Sequence, residues 1–343
     1  MKILKIFFYN FLILLIFLTL FEVFFGYWFK EQNFGIYIRD QRNIKKHFEV
    51  VHNEKKYKYN FIRNSLGFIG EEIDAEEIKI VFEGGSTGEQ MFIPPKLRIV
   101  DILNSNFKKD NLKANIINAS KAGKTTRGYY NDFVDWFPRI NNFKPEIFIF
   151  YTGINDSILD LPKYWDNAKR DNFLENFEDF VKNNSAIYEI KTKIQNKYFS
   201  KIRSKYDLYK DGLYDDYKFF SYKQAKLKFN MNELNSEEQN VLDNFNKNIN
   251  NLEMKIKATN IKPIFITQVK FDGISDKKLF IINEKLKEFC DNKNYEIIKL
   301  DEIIEGFEIN DFYDDVHPGV NGSKKIAKKI YPYIKEIIVN FYK

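Results

Sequence analysis

One cysteine in 343 residues, Cys290, excludes an intrachain disulfide and any cysteine-based metal cluster. Histidine is nearly as scarce. His47, His52 and His317 stand at spacings that match no zinc-ligand pattern, so the expected chemistry uses no metal and no cofactor. A third absence is a small-residue cleavage site after the apolar N-terminal stretch, which argues against a removed signal peptide. What remains is ordinary for a globular chain, 44% hydrophobic and 30% charged, and long enough for one large core with an insertion. The heavy use of Phe, Tyr, Ile, Asn and Lys is read as codon bias and carries no function.

Residues 6–25 are almost wholly apolar, with Asn10 and Glu22 as the strongly polar members. Twenty helical residues at about 1.5 Å each match a hydrocarbon core of roughly 30 Å. Gly26-Tyr27-Trp28-Phe29-Lys30 follows as an aromatic interfacial belt. Residues 1–29 are therefore expected to be an uncleaved membrane anchor, a cleaved signal peptide being the alternative. Lys2 and Lys5 place the N-terminus inside, whereas Lys30, Arg39, Arg42, Lys45 and Lys46 on the other side count against an exported domain.

Residues 30–77 read as a polar, irregular juxtamembrane segment, and the folded domain is expected over 78–343. Short apolar runs predict strands at 78–82, 114–118, 146–151, 263–269 and 295–300. Amphipathic patterns predict helices over 88–107, 128–140, 237–259, 276–292 and 322–342. This alternation implies a parallel sheet with helices on both faces and a site outside the carboxyl ends of the strands. An insertion at about 160–235 breaks the pattern. Within it, residues 191–228 hold eleven Lys/Arg against four Asp, a net +7, with nine aromatics between Tyr198 and Tyr222. Two readings stand: a solvated insertion whose aromatics pack on the main domain, or a lid or docking face for an anionic glycan, lipid headgroup or protein. Nucleic acid would also suit such a stretch, but a membrane-anchored chain is not expected to bind it.

Four blocks follow the predicted strands: Gly84-Gly85-Ser86-Thr87, then the loop from Asn118 to Thr126, then Gly153-Ile154-Asn155-Asp156, and last Asp314-Asp315-Val316-His317-Pro318. Ser86 stands where the chain turns from strand to helix, its hydroxyl at the strand end and its N–H near a helix N-terminus. Asp314, three residues before His317, has the spacing to orient an imidazole, and such an imidazole activates a serine hydroxyl. Asp311 and Asp315 compete with Asp314 for that place. Taken singly, each block has a bland reading: a turn, a loop glycine, a capping Asn, a structural Asp–His pair.

In this order the blocks resemble the SGNH hydrolases, the GDSL-type esterase and acyl-transfer superfamily. The Gly-Gly-Ser variant, with Gly85 where Asp is usual, is similar to its membrane-anchored bacterial members, as is Arg63-Asn64-Ser65-Leu66-Gly67-Phe68 upstream. The resemblance covers roughly residues 60–340. It implies a three-layer α/β/α, flavodoxin-like fold with about five parallel strands. It implies Ser86, His317 and Asp314 as catalytic residues, and Ser86, Gly123 and Asn155 as oxyanion donors. Asp156 is expected to serve its own turn. Lys121 and Lys124, flanking Gly123, either make the site mouth electropositive or are solvated loop lysines. Tyr164 and Trp165 either line an acyl or sugar pocket or pack in the core.

The expected activity is ester cleavage or acyl transfer through an acyl-Ser86 intermediate. The favoured substrate is an O-acetyl ester of an envelope carbohydrate, which the resemblance implies and no residue reads directly. A lipase-like or lysophospholipase-like esterase is the first alternative. A non-catalytic glycan-binding scaffold on the same fold is the second. The resemblance also implies an extracytoplasmic, periplasmic domain and envelope-biosynthesis proteins as partners.

Overall fold

The computed structural model describes residues 2–30, 34, 42–52, 54–112, 114–158, 166, 172–198, 204–207 and 218–343. The chain begins with helix α1 (Lys2–Phe25), long and apolar enough to cross a membrane, with none of its side chains buried. Next come strands β1 (Ile44–His52) and β2 (Lys55–Arg63), paired antiparallel. The domain proper opens with β3 (Ile80–Gly84), the single turn α2 (Ser86–Glu89), α3 (Ile99–Lys109), β4 (Ile116–Asn118), α4 (Thr126–Asn131) and β5 (Ile147–Tyr151). The insertion contributes α5 (Phe173–Asn184), α6 (Ala186–Tyr198), β6 (Ser204–Asp207) and α7 (Tyr222–Lys228). The chain closes with α8 (Ser236–Thr259), β7 (Lys262–Ile266), α9 (Lys277–Lys293), β8 (Glu296–Ile298), α10 (Leu300–Ile303) and α11 (Val320–Phe341).

The main sheet has the order β4-β3-β5-β7-β8 with every neighbour parallel, the flavodoxin-like arrangement. Its strands are buried on both faces, so alternate residues feed two cores. Ile80, Phe82, Ile149 and Ile264 pack toward α3 and α11. Val81, Phe148, Phe150 and Phe265 pack toward α4, α8 and α9. Each such side chain contributes about 1.5–3 kcal/mol of burial.

All five strands expected from apolar runs are present, shifted by a few residues at their ends. The helix expected over 88–107 divides. Pro94 and Pro95 deny the backbone helical geometry, so α2 stops after one turn and α3 begins at Ile99. The helix expected over 128–140 is α4 followed by a wide turn over 132–136 and a tighter one at 137–139. A larger correction concerns residues 30–77, which are not irregular throughout. β1 and β2 form a hairpin whose Phe48, Val50 and Phe61 bury against Ile69 and Phe92. Lysines on its outer face, two of which cover Glu49, hid the alternation.

Within the basic aromatic segment, Phe219, Phe220 and Tyr222 are the aromatics whose side chains are described, and these pack on the main domain. Phe219 meets Phe307 and Tyr222 meets Phe280 at ring distances of 6.0 and 6.2 Å, and β6 pairs with β1. Tyr164, Trp165 and Arg39 lie outside the described residues.

Candidate active site

Four loops leave the carboxyl ends of β3, β4, β5 and β8 and converge on one spot. At the end of β3 the turn Gly84–Gln90 is buried except at Ser86, which is half-exposed. Gly85 has no room for a side chain, because a Cβ there would stand 2.3 Å from the Asn155 amide nitrogen. The position where Asp is usual in the resembled family is thus filled by Asn155 reaching in from the loop after β5. Because α2 is one turn long, the field at Ser86 comes from a few local N–H groups rather than from a helix macrodipole.

Ser86 Oγ and His317 Nε2 are 2.7 Å apart. On the other side of the ring, Nδ1 lies 2.8 and 3.0 Å from the two Asp314 oxygens. Asp314 Oδ1 also accepts the backbone N–H groups of Val316 and His317 at 2.9 and 2.7 Å. Burial raises the Asp314 carboxyl, but the His317 contact and those amides outweigh it and hold it below the usual carboxylate value. With Nδ1–H donated to an ionised Asp314, Nε2 is left as the acceptor for the Ser86 hydroxyl. Tyr313 stacks flat on the imidazole at 5.5 Å and 5°.

Gly123 adopts φ +74°, a left-handed conformation glycine reaches without cost, inside the turn closed by Lys124 N–H to Lys121 C=O. Among the described residues the backbone N–H groups of Ser86 and Gly123 have no acceptor. Asn155 donates one amide hydrogen to Lys124 C=O at 2.8 Å, leaving the second for a ligand. A nucleophile, an oriented base and three neutral donors at one strand edge are the parts that acyl chemistry requires.

The competitors for Asp314 are placed elsewhere. Asp311 is buried, accepts the Glu308 N–H at 2.6 Å and pairs with Lys325, also at 2.6 Å. Asp315 is exposed. Asp156 joins two loops rather than serving its own turn alone, accepting from Thr126 N–H, Thr126 Oγ1 and Thr152 Oγ1 at 3.0, 2.6 and 3.2 Å. Burial pushes it up to about 6.

For Lys124 both expectations, an electropositive mouth and a solvated loop lysine, are corrected. Lys124 is 2% exposed and points inward, contacting Glu83 at 2.8 Å, Ala119 C=O at 3.0 Å and Asp132. Burial disfavours the ammonium, but the two carboxylates outweigh it and keep Lys124 protonated, while burial drives the Glu83 carboxyl up. Its backbone carbonyl, not its charge, faces Asn155.

Several supporting residues escaped the sequence reading. Gln268, just past β7, accepts Ile154 N–H and donates to Thr87 Oγ1, both at 2.8 Å, so it ties the Asn155 loop to the Ser86 turn. Its place at a strand end was the available signal. Gln90 ties the same turn to Ser323 of α11 at 2.6 Å. Arg63, in the segment that resembles anchored family members, bridges Glu89 at 2.8 Å and Ser120 C=O at 2.9 Å, while Glu89 also accepts Ala122 N–H. That segment therefore braces the Ser86 and Gly123 loops from below.

The family model for GDSL-like lipase/acylhydrolase matches residues 80–330. Among solved structures, a GDSL-like lipase from Bacteroides thetaiotaomicron is similar at 14% identity, covering 76% of this chain and 90% of that one, with a TM-score of 0.38. A psychrotrophic esterase from Pseudoalteromonas sp. is similar at 11% identity, with 76% and 98% covered and a TM-score of 0.41. A variant of an acetyl-xylooligosaccharide esterase from Geobacillus Stearmophilus is similar at 13% identity, with 74% and 92% covered and a TM-score of 0.42. No curated protein matches the sequence.

Lys124→Met leaves the fully buried Glu83 facing the partly buried Asp132 with no cation between them. It is expected to cost about 3–5 kcal/mol of stability in chemical denaturation. A change below 1 kcal/mol would mean that water reaches this cluster.

Proposed function

The chain belongs to the GDSL-like lipase/acylhydrolase family, and we propose that it is a serine esterase whose nucleophile is Ser86. The observation that carries this reading is the continuous line Ser86 Oγ, His317 Nε2, His317 Nδ1, Asp314, with contacts of 2.7 and 2.8 Å. Ser86 Oγ attacks the ester carbonyl carbon while its proton passes to His317 Nε2. The oxyanion is held by the N–H groups of Ser86 and Gly123 and by the free Asn155 amide hydrogen. The alkoxide leaves with the proton from His317. Water, deprotonated by His317, then cleaves acyl-Ser86 and releases the carboxylic acid; a sugar hydroxyl in place of water gives acyl transfer. Asp314 holds the ring and balances the imidazolium.

The substrate we favour is a short O-acyl ester, such as acetyl, on a carbohydrate. A cleft of about 370 Å³ adjoins Asn155. Asn244, Asn248 and Asn251 line it at i, i+4 and i+7 along α8, and among the described residues none of their side-chain amides makes a hydrogen bond. Arg127 and Asn131 face them, both bonded to Asp166. Pockets for acyl chains are apolar. A side-chain amide offers a donor and an acceptor together, which suits adjacent sugar hydroxyls.

Turnover of 4-nitrophenyl acetate is expected to exceed that of long-chain esters, and Ser86→Ala is expected to lose roughly 10⁴-fold or more. Preference for long chains would favour the lipase-like alternative. Fluorophosphonate labelling of Ser86 without ester turnover would point to a transferase, and a folded protein that does not label would favour the scaffold. With acetylated xylo-oligosaccharide as probe, Asn248→Ala/Asn251→Ala is expected to raise KM about tenfold at unchanged kcat, since two lost hydrogen bonds amount to roughly 1.4 kcal/mol or more. Equal effects on 4-nitrophenyl acetate would remove the carbohydrate role of the cleft.

In this reading α1 stays in the membrane and the domain lies outside the cytoplasm. Protease added to spheroplasts is then expected to digest it; protection would reverse the orientation.

A further inference from the structure

Glu22 is a carboxylate near the end of an otherwise apolar helix, and its partners account for it. It accepts Ser185 Oγ at 2.6 Å, Ala186 N–H at 3.0 Å, Ile187 N–H at 3.1 Å and Trp28 Nε1 at 2.8 Å. It thus caps the N-terminus of α6 together with Ser185, whose Oγ accepts the Tyr188 N–H at 3.0 Å. The junction is reinforced by Tyr27 N–H to Asn184 C=O at 2.8 Å and by Trp28 against Phe180 at 5.5 Å. Removing α1 would strip α6 of this cap, so the contacts favour a retained anchor over a cleaved leader.

Glu22 lies twenty residues beyond Lys2, about 30 Å along the helix, which matches the hydrocarbon thickness. Helices fastened at Glu22 therefore sit at headgroup level. Both are amphipathic, with their apolar sides uncovered. On α5, Phe173, Leu174 and Phe177 are 77%, 71% and 56% exposed, and Phe180 continues the stripe toward Trp28. On α6, Ile187, Ile190 and Ile194 recur at i, i+3 and i+7, all exposed. The charged residues Glu178, Lys182, Glu189 and Lys193 pair among themselves elsewhere on these helices.

We propose that α5 and α6 form an interfacial platform, laid in the headgroup region of the same bilayer that α1 spans, so that the domain meets the membrane over a surface rather than through one flexible tether. The occupant of the uncovered face is lipid. This rests on α1 being membrane-inserted, not on the ester chemistry. The face is continuous with α1 through Glu22, Trp28 and Phe180, and such apolar stripes are what interfacial helices bury to a depth of about 5–10 Å.

The test uses the full chain in phosphatidylcholine nanodiscs, in a Cys290→Ala background with a single environment-sensitive fluorophore. The label is placed at Phe177→Cys, at Leu12→Cys to report insertion of α1, and at Leu227→Cys, a 90% exposed position on α7. With Leu12 quenched by deep-brominated lipid, Phe177 is expected to show blue-shifted emission and quenching by shallow-brominated lipid, while Leu227 reports water. A Phe177 label that behaves like Leu227 overturns the platform. A blue-shifted label untouched by brominated lipid also overturns it, in favour of a protein partner or a second copy. An unquenched Leu12 label overturns it through the anchor, leaving the esterase reading intact.

Discussion

The contact between Ser86 and His317 joins residues 231 apart in sequence across 2.7 Å, and the rest of the domain exists to keep that distance. Neither residue can reach the other by local structure. Ser86 is placed by β3, the second strand of the sheet, and His317 by the long return from β8 into α11. Both arrive at the same edge because all five strands are parallel, so every strand ends on the same side. A shift of one residue in the β3–β5 register would carry the Asn155 loop away from Gly85. The apolar layers on the two faces of the sheet oppose such a slip, since it would exchange their side chains.

Apolar packing alone does not set a loop to within a fraction of an ångström. Here the loops rest on buried polar contacts with few alternatives. Lys124 with Glu83 and Asp132, Arg63 with Glu89, and Gln268 between Ile154 and Thr87 each span two loops. Such groups add little net stability, because desolvation offsets their attraction, but leaving one unpaired is costly. The loops are therefore held to the arrangement in which these charges and amides are paired. The hairpin of β1 and β2 belongs to this support. It delivers Arg63 beneath the site and His52 beside Tyr313, the ring on which His317 stacks.

The same logic appears where α1 meets α6. Glu22 would be out of place in a helix that only tethers. Bonded to Ser185 and to two backbone N–H groups of α6, it turns a tether into a joint. The proposed platform would hold the cleft at a fixed height above the bilayer.

The sequence by itself determined the sheet, because five short apolar runs separated by amphipathic segments have one economical arrangement. It also placed Ser86, Gly123, Asn155, Asp314 and His317 in blocks that follow strands, and the resemblance to the SGNH hydrolases singled them out within those blocks. Those signals are local: runs, turns, and a three-residue spacing. Only the tertiary structure decided the direction of Lys124, which reads as a surface lysine beside a glycine and is buried because Glu83 and Asp132 come from elsewhere in the chain. The same holds for the hairpin, whose alternation is masked by lysines on its wet face, and for Glu22, whose partners Ser185 and Ala186 lie more than 160 residues away. Sequence patterns report what a residue's neighbours along the chain require. The pairing of buried charges depends on neighbours in space, and those exist only once the chain has folded.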